Sequence, residues 1–330
     1  MTAAPWDKFP VLVAGCGSIG RRHARVLRAL GARNLRACDP SEAQRAALAA
    51  ETPLEAAFAS YEQGLASKPS AVFVCTPPKL HVPMAAAALR AGCHVFCEKP
   101  LADTLEGIDG LQASVRESKR AFMVGLCFRY HEGLALAKRW LDEGKIGRLV
   151  SVRCRMGEHL PTVRPDYRTL FTSQYSGAFD LTHEVDLACW FAGDLPVREV
   201  RALHGAFSDI GIRAPDVAEI LVRFGDSCLA SIHLDFFSRP RQRVTELLGT
   251  EGSISVEFAS WDECSVSLCE KGAAAWRVQK MRTERDDMFR AEDAEFLRAA
   301  TDGSPVRCTL AEARRSLEVV TAAQAARPPL

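Results

Sequence analysis

Two segments of this chain of 330 residues carry side chains suited to moving a proton. Lys99 follows the apolar run His94 to Glu98 and precedes Pro100. A lysine so placed can pair with Glu98 or another acid at a sheet rim. In a partly desolvated cleft beside a cationic group it holds its proton less tightly and can exchange it with a substrate oxygen. The second segment, Gly177 to Asp186 (GAFDLTHEVD), reads as the start of a helix running on to Trp190 and Phe191. Asp180 and His183 are three apart, as are His183 and Asp186, so consecutive members are neighbours on a helix surface. A carboxylate beside an imidazole fixes its tautomer and raises its basicity, which suits a general base for a hydroxyl proton. Capping with a surface ion pair is the plainer use of the same spacing.

A third segment can hold an anion. Val11 to Ala14 is apolar without alternation, the pattern of a parallel strand covered on both faces. Gly15, Gly17 and Gly20 then form G-x-G-x-x-G, which serves a tight turn, close backbone approach to a pyrophosphate, and close packing of the next helix. Cys16 lies between the first two glycines, and the helix begins around Ser18 and Ile19, with free N–H groups and the positive dipole end toward phosphate. Asp39 ends a second strand, Asn34 to Cys38, about twenty residues beyond, where a carboxylate accepts hydrogen bonds from ribose hydroxyls. An acid there favours NAD and repels the extra phosphate of NADP, although Arg21, Arg22 and Arg45 leave NADP open.

Strand and helix signals alternate up to about Gly125, as in a doubly wound parallel sheet. In such sheets ligands bind beyond the carboxyl ends of the strands, so the glycine turn, Asp39, Thr76, Pro77, His81, Glu98, Lys99 and Arg129 are expected on one rim. From Ile146 onward the period changes. Leu149 to Met156, Val217 to Phe224, Cys228 to Asp235 and Val244 to Leu248 alternate or are β-branched, as in an open antiparallel sheet. The fold class is thus α/β: an N-terminal Rossmann domain with a doubly wound parallel sheet over 1–125, then an α+β domain with an open, mainly antiparallel sheet over 126–330. The uncovered sheet face is a natural surface for a homodimer or homotetramer. Helices are expected at about Asp286 to Ala300 and Thr309 to Ala326. The segment Glu158 to Ser176 carries Arg164, Asp166, Tyr167, Arg168 and Tyr175. It is either a solvated connection or a lid whose arginines hold an anionic or polyhydroxylated substrate.

Bulk properties exclude several classes. The formal net charge of +1 gives no reason to expect nucleic acid or an anionic membrane as partner. No apolar stretch of membrane-spanning length is free of charge, and Met1 to Pro10 lacks the order of a secretion signal, so the cytoplasm is expected. Six of the twelve cysteines (Cys16, Cys38, Cys75, Cys97, Cys127 and Cys154) lie in or beside apolar strands as small hydrophobes. Cys93, His94 and Cys97 lack the spacing of a zinc site, so no metal is expected.

The order GCGSIGRRHARVL, TPPKLH, CEKPLA, YSGAFDLTHEVDLACWFAG, LLGTEGSISV and TLAEARRSLEVVTAA resembles the Gfo/Idh/MocA oxidoreductases, the family of glucose-fructose oxidoreductase and inositol dehydrogenase. The resemblance covers nearly the whole chain. It implies an NAD(P)-dependent dehydrogenase or reductase acting on a secondary alcohol or ketone of a sugar, inositol, sugar acid or sugar conjugate. Lys99, His183 and Asp180 would be catalytic, with the nicotinamide near Thr76, Pro77 and Lys99 and the substrate carbon between that ring and His183. Lys99, Arg129, Tyr167, Arg168, Asp180 and His183 would contact substrate. In many members the aspartate precedes the histidine by four residues. Here that position is Phe179, which puts the role of Asp180 in doubt. A dinucleotide-dependent sensor or regulator without catalysis is the alternative on the same scaffold.

Overall fold

The computed structural model describes residues 5–170 and 177–326. They divide into two compact units. The first comprises Met1–Cys127 with Asp286–Arg314, the second Phe128–Arg285 with Arg315–Leu330.

The first unit is built on strands β1 (Val11–Ala14), β2 (Leu35–Cys38), β3 (Ala56–Phe58), β4 (Ala71–Val74), β5 (His94–Glu98) and β6 (Phe122–Gly125). All pairs are parallel, in the order β3-β2-β1-β4-β5-β6. Stepping outward from β1 in both directions reverses the strand order there, which makes the carboxyl ends of β1 and β4 a topological switch point. Strands β1, β4 and β6 are buried along their whole length, as their unalternating sequences require. Phe73 of β4 and Phe96 of β5 stack at 4.7 Å, and Phe296 meets Phe73 edge-on at 5.1 Å.

Phe296 belongs to a helix, Arg285–Asp302, that the sequence reading assigned with the rest of 126–330 to the second domain. Its apolar stripe, Phe289, Phe296 and Leu297, is buried in the first unit instead. The backbone N–H of Val124 in β6 donates to the carbonyl of Cys308 (2.9 Å), so the returning segment also covers a sheet edge. A helical period shows that a helix has an apolar face but not which core receives it.

The second unit holds β7 (Leu149–Gly157), β8 (Val197–Gly205), β9 (Val217–Phe224), β10 (Cys228–Asp235), β11 (Gln242–Gly249), β12 (Gly252–Phe258), β13 (Glu263–Glu270) and β14 (Arg277–Arg282). Their order is β14-β13-β12-β11-β7-β10-β9-β8, and every pair is antiparallel except β7 with β10. In β9 the residues Ala218, Ile220, Val222 and Phe224 point inward, while Glu219, Leu221 and Arg223 point out. The helix His183–Phe191 packs on the inward face, against β7 and β10. No helix among the described residues is long and apolar enough to cross a membrane.

Candidate functional site

In the first unit the glycine turn has the shape its spacing implies. Gly15 has φ +97°, and a Cβ there would stand 2.5 Å from the Cys75 carbonyl oxygen. A Cβ on Gly20 would stand 1.9 Å from the Gly15 oxygen. Gly17 differs: nothing lies within 4 Å of an added Cβ, and it precedes the helix Ser18–Ala29 without a side-chain cap. The turn therefore packs tightly on its protein side and is open where a phosphate would approach the first helical N–H groups. Gly20→Ala is expected to destabilise the protein by about 1–3 kcal/mol through overpacking. Gly17→Ala should leave the melting temperature unchanged yet weaken NADH binding in a fluorescence titration.

Asp39 is locked onto this turn. One carboxylate oxygen accepts from the Cys16 N–H (2.8 Å) and the other from the Ser41 N–H (2.8 Å). Arg45 donates to the main-chain oxygen of Asp39 at 2.6 Å. Arg21 pairs with Glu51 (3.3 Å) and Arg22 with Asp286 (3.3 Å), so the arginines that left NADP open each have an internal partner. Thr76, whose hydroxyl faces the Met84 sulfur at 3.5 Å, and Pro77 lead from β4 into the next turn.

Two expected cofactor contacts are engaged inside the unit. His81 is 1% exposed, and its ring nitrogens lie 2.7 Å from the Thr76 carbonyl and 2.8 Å from the Pro100 carbonyl, which ties the turn after β4 to the turn after β5. Glu98 is buried. One oxygen meets the His23 ring at 2.9 Å and the other accepts the Lys99 N–H at 2.8 Å. Both side chains brace the rim rather than line it. Lys99 itself is half-buried, and the peptide bond to Pro100 is cis.

In the second unit, Asp180 ends a short 3-10 turn, Gly177–Asp180, and His183 is the first residue of the helix His183–Phe191. The two are therefore not on one continuous helix. The His183 ring packs on Phe128, centroids 4.7 Å apart. Asp186, one turn further on, is drawn elsewhere: Arg129 donates from Nε (2.9 Å) and Nη2 (2.7 Å) to its two oxygens, and the Ser316 hydroxyl donates at 2.9 Å. Arg129, expected to touch cofactor and substrate, is 1% exposed and spends its guanidinium fork on this carboxylate, so its place is a buried ion pair. Tyr167 is likewise a core residue, packed with Leu160, Ile210 and Phe236, and its hydroxyl donates to the Ile210 carbonyl at 2.7 Å. Arg164, Asp166 and Arg168 are exposed. Tyr175 and Ser176 lie outside the described residues.

The sequence reading missed the groups around Phe128. Arg243, on the inward face of β11, has its guanidinium 3.8 Å from the Phe128 centroid and its Nε 2.8 Å from Glu184. Arg241 stacks on Trp261 at 3.7 Å and pairs with Glu158 at 3.3 Å. Burial pushes the Glu184 carboxyl up, against the pull of Arg243. Nη2 of Arg241 and Nη1 of Arg243 are buried without a hydrogen-bond partner among the described residues. The available signal was the period of two: Arg243, Thr245 and Leu247 share one strand face, and a charge among inward positions calls for a partner.

Two family models match the chain: "Oxidoreductase family, NAD-binding Rossmann fold" over residues 9–126, and "GFO/IDH/MocA C-terminal domain" over residues 134–255. The 1,5-anhydro-D-fructose reductase of Ensifer adhaerens is 31% identical over 239 residues, 69% of each protein. The levoglucosan dehydrogenase of Pseudarthrobacter phenanthrenivorans is 29% identical over 61% of this chain, which spans 59% of that protein's length. Among solved structures, GenD2 from gentamicin A biosynthesis in complex with NAD superposes with a TM-score of 0.80 at 25% identity, covering 96% of this chain and 93% of that one.

Proposed function

Because this chain belongs to the Gfo/Idh/MocA family of oxidoreductases, we propose that it transfers a hydride between NAD and a secondary alcohol or ketone of a sugar, inositol, sugar acid or sugar conjugate. The observation that carries this reading is the glycine turn, closed on its protein side, open at Gly17, and held against the Asp39 carboxylate. Bound NAD supplies the hydride acceptor. The chain's part is to hold the pyrophosphate on the N–H groups from Gly17 to Ile19 and the adenosine ribose on Asp39, and to manage the hydroxyl proton. As the carbinol carbon gives up hydride, its hydroxyl proton passes to Lys99 or His183; in the reverse direction the same group returns it.

The test is a panel of polyols, neutral sugars and sugar acids mixed with protein and NAD, read as NADH absorbance. Turnover of no panel member by the wild type would favour the sensor alternative. Within the panel, acids are expected to have a KM at least about tenfold below that of their neutral counterparts, since the buried donors of Arg243, over the Phe128 ring, and of Arg241, over the Trp261 ring, can take a carboxylate. Equal KM values for glucuronate and glucose would refute that preference.

Eleven of the twelve cysteines are buried thiols, in keeping with a reducing cytoplasm. The open face of the eight-stranded sheet exposes Leu203, Leu221 and Leu229 by 48–58%, and on it we place the contact of a homodimer or homotetramer. Leu221→Asp is expected to sediment as a smaller species than wild type.

A further inference from the structure

Four ionisable side chains are enclosed in the core of the first unit: His23 and Asp293 at 0% exposure, Glu292 at 0%, and Glu98 at 5%. The His23 ring is walled by Phe73, Phe96 and Phe289 at 5.0–5.6 Å. Its Nδ1 lies 2.9 and 3.0 Å from the two oxygens of Asp293, and its Nε2 lies 2.9 Å from Oε1 of Glu98. A neutral imidazole has one N–H and one lone pair, so two ionised carboxylates, one at each nitrogen, are both satisfied only when both nitrogens donate. We propose that His23 is a buried imidazolium that acts as a positioning residue for Lys99, fixing it through Glu98.

The chain of contacts is continuous. Asp293 holds Nδ1, His23 holds one oxygen of Glu98, and the other oxygen of Glu98 holds the Lys99 N–H at 2.8 Å. His23 stands on the helix Ser18–Ala29, just past the glycine turn, so the helix offered to the dinucleotide and the lysine offered to the substrate are tied to each other. The charges on His23 and Glu98 support this arrangement, while burial pushes the Asp293 carboxyl up against the pull of His23. Burial pushes the imidazole down, but Asp293 and Glu98 outweigh it and hold His23 well above the usual histidine range. Burial pushes the Glu98 carboxyl up, and the hydrogen bond and charge of His23 bring it below the ordinary value. Neither oxygen of Glu292 has a hydrogen-bond partner among the described residues, and burial pushes its carboxyl well above the carboxylate range. His23, Glu292 and Asp293 are close enough to enclose an ion, but a ring that donates from both nitrogens has no lone pair left for a metal.

This inference rests on the proton role proposed for Lys99, and three readouts on the full chain separate the two ideas. In ¹⁵N-histidine spectra with NAD bound, the signals missing from His23→Asn are expected at imidazolium shifts at neutral pH. In Asp293→Asn, which keeps an acceptor for Nδ1 and the side-chain volume, the Lys99 amide should exchange roughly tenfold faster or more. The amides of Val95, Phe96 and Cys97 should stay protected, a local pattern that general destabilisation does not give. With a panel substrate, kcat of Asp293→Asn and Glu98→Gln should fall on the order of tenfold to a hundredfold at unchanged KM for NAD, the effect of a displaced catalytic group. A neutral His23, an unchanged Lys99 amide in Asp293→Asn, or stoichiometric zinc in the purified protein overturns the proposal while leaving the oxidoreductase reading intact. Full turnover by Lys99→Ala overturns the catalytic reading and this role together, whatever the spectra show.

Discussion

Lys99→Ala is expected to lower kcat by about 10²- to 10⁴-fold on any panel substrate the wild type turns over, the range for loss of a general acid or base. The defect should be chemical rather than architectural. The backbone at this position is held by main-chain contacts: the Lys99 N–H is bonded to Glu98, and the Pro100 carbonyl is held by His81. Truncating the side chain removes neither contact, so NADH affinity and melting temperature should remain near the wild-type values. Lys99→Arg sharpens the test. A guanidinium keeps the positive charge but does not give up a proton near neutral pH, so it should be nearly as inactive as alanine if proton exchange is the role. If Lys99→Arg restores most of the rate, charge alone suffices and the general-acid or general-base assignment fails.

Arg129→Met should destabilise the protein by about 3–5 kcal/mol, the usual cost of stripping one partner from a buried ion pair. Arg129 and Asp186 are each 1% exposed, and the two forked bonds are 2.9 and 2.7 Å. Without the guanidinium, the Asp186 carboxyl loses its forked partner in a place that solvent does not reach. The double variant Arg129→Met, Asp186→Leu should recover most of the loss, since neither charge is then left alone. Urea denaturation of Arg129→Met and the double variant checks this, and a single variant within 1 kcal/mol of wild type would show that the pair contributes little. Asp186 lies on the helix that begins with His183, so the single variant should also lower kcat.

The features legible in the sequence were local ones. Gly15, Gly17 and Gly20 announce their turn because each glycine answers a contact a few residues away or one strand over, and Asp39 follows at a distance set by one strand-helix-strand unit. The parallel and antiparallel sheets were legible from unbroken and alternating apolar runs. The acid and imidazole spacing was read less well. Three-residue spacing places Asp186 beside His183 only if both face the same way, whereas Asp186 is at 1% exposure and bonded to Arg129. Arg129 looked like a rim residue because it lies in the exit Cys127–Tyr130 just past the end of β6 at Gly125; nothing in its neighbours shows that the chain turns it inward. His23 carried a readable signal, a polar ring on a helix face otherwise buried through Ala24, Val26 and Leu27, but its partners are 75 and 270 residues away. Distant partners of that kind are set by topology rather than by local pattern.

The return of Asp286–Arg314 to the first unit has a consequence for how this protein is made. A chain emerging from the ribosome presents its N-terminal half long before residue 296, so Phe73 and Phe96 await their aromatic partner until translation is nearly over. His23 and Glu98 wait equally long for Asp293. A fragment ending at residue 127 should therefore expose apolar surface and precipitate, and a stable nucleotide-binding fragment requires splicing 286–314 onto it.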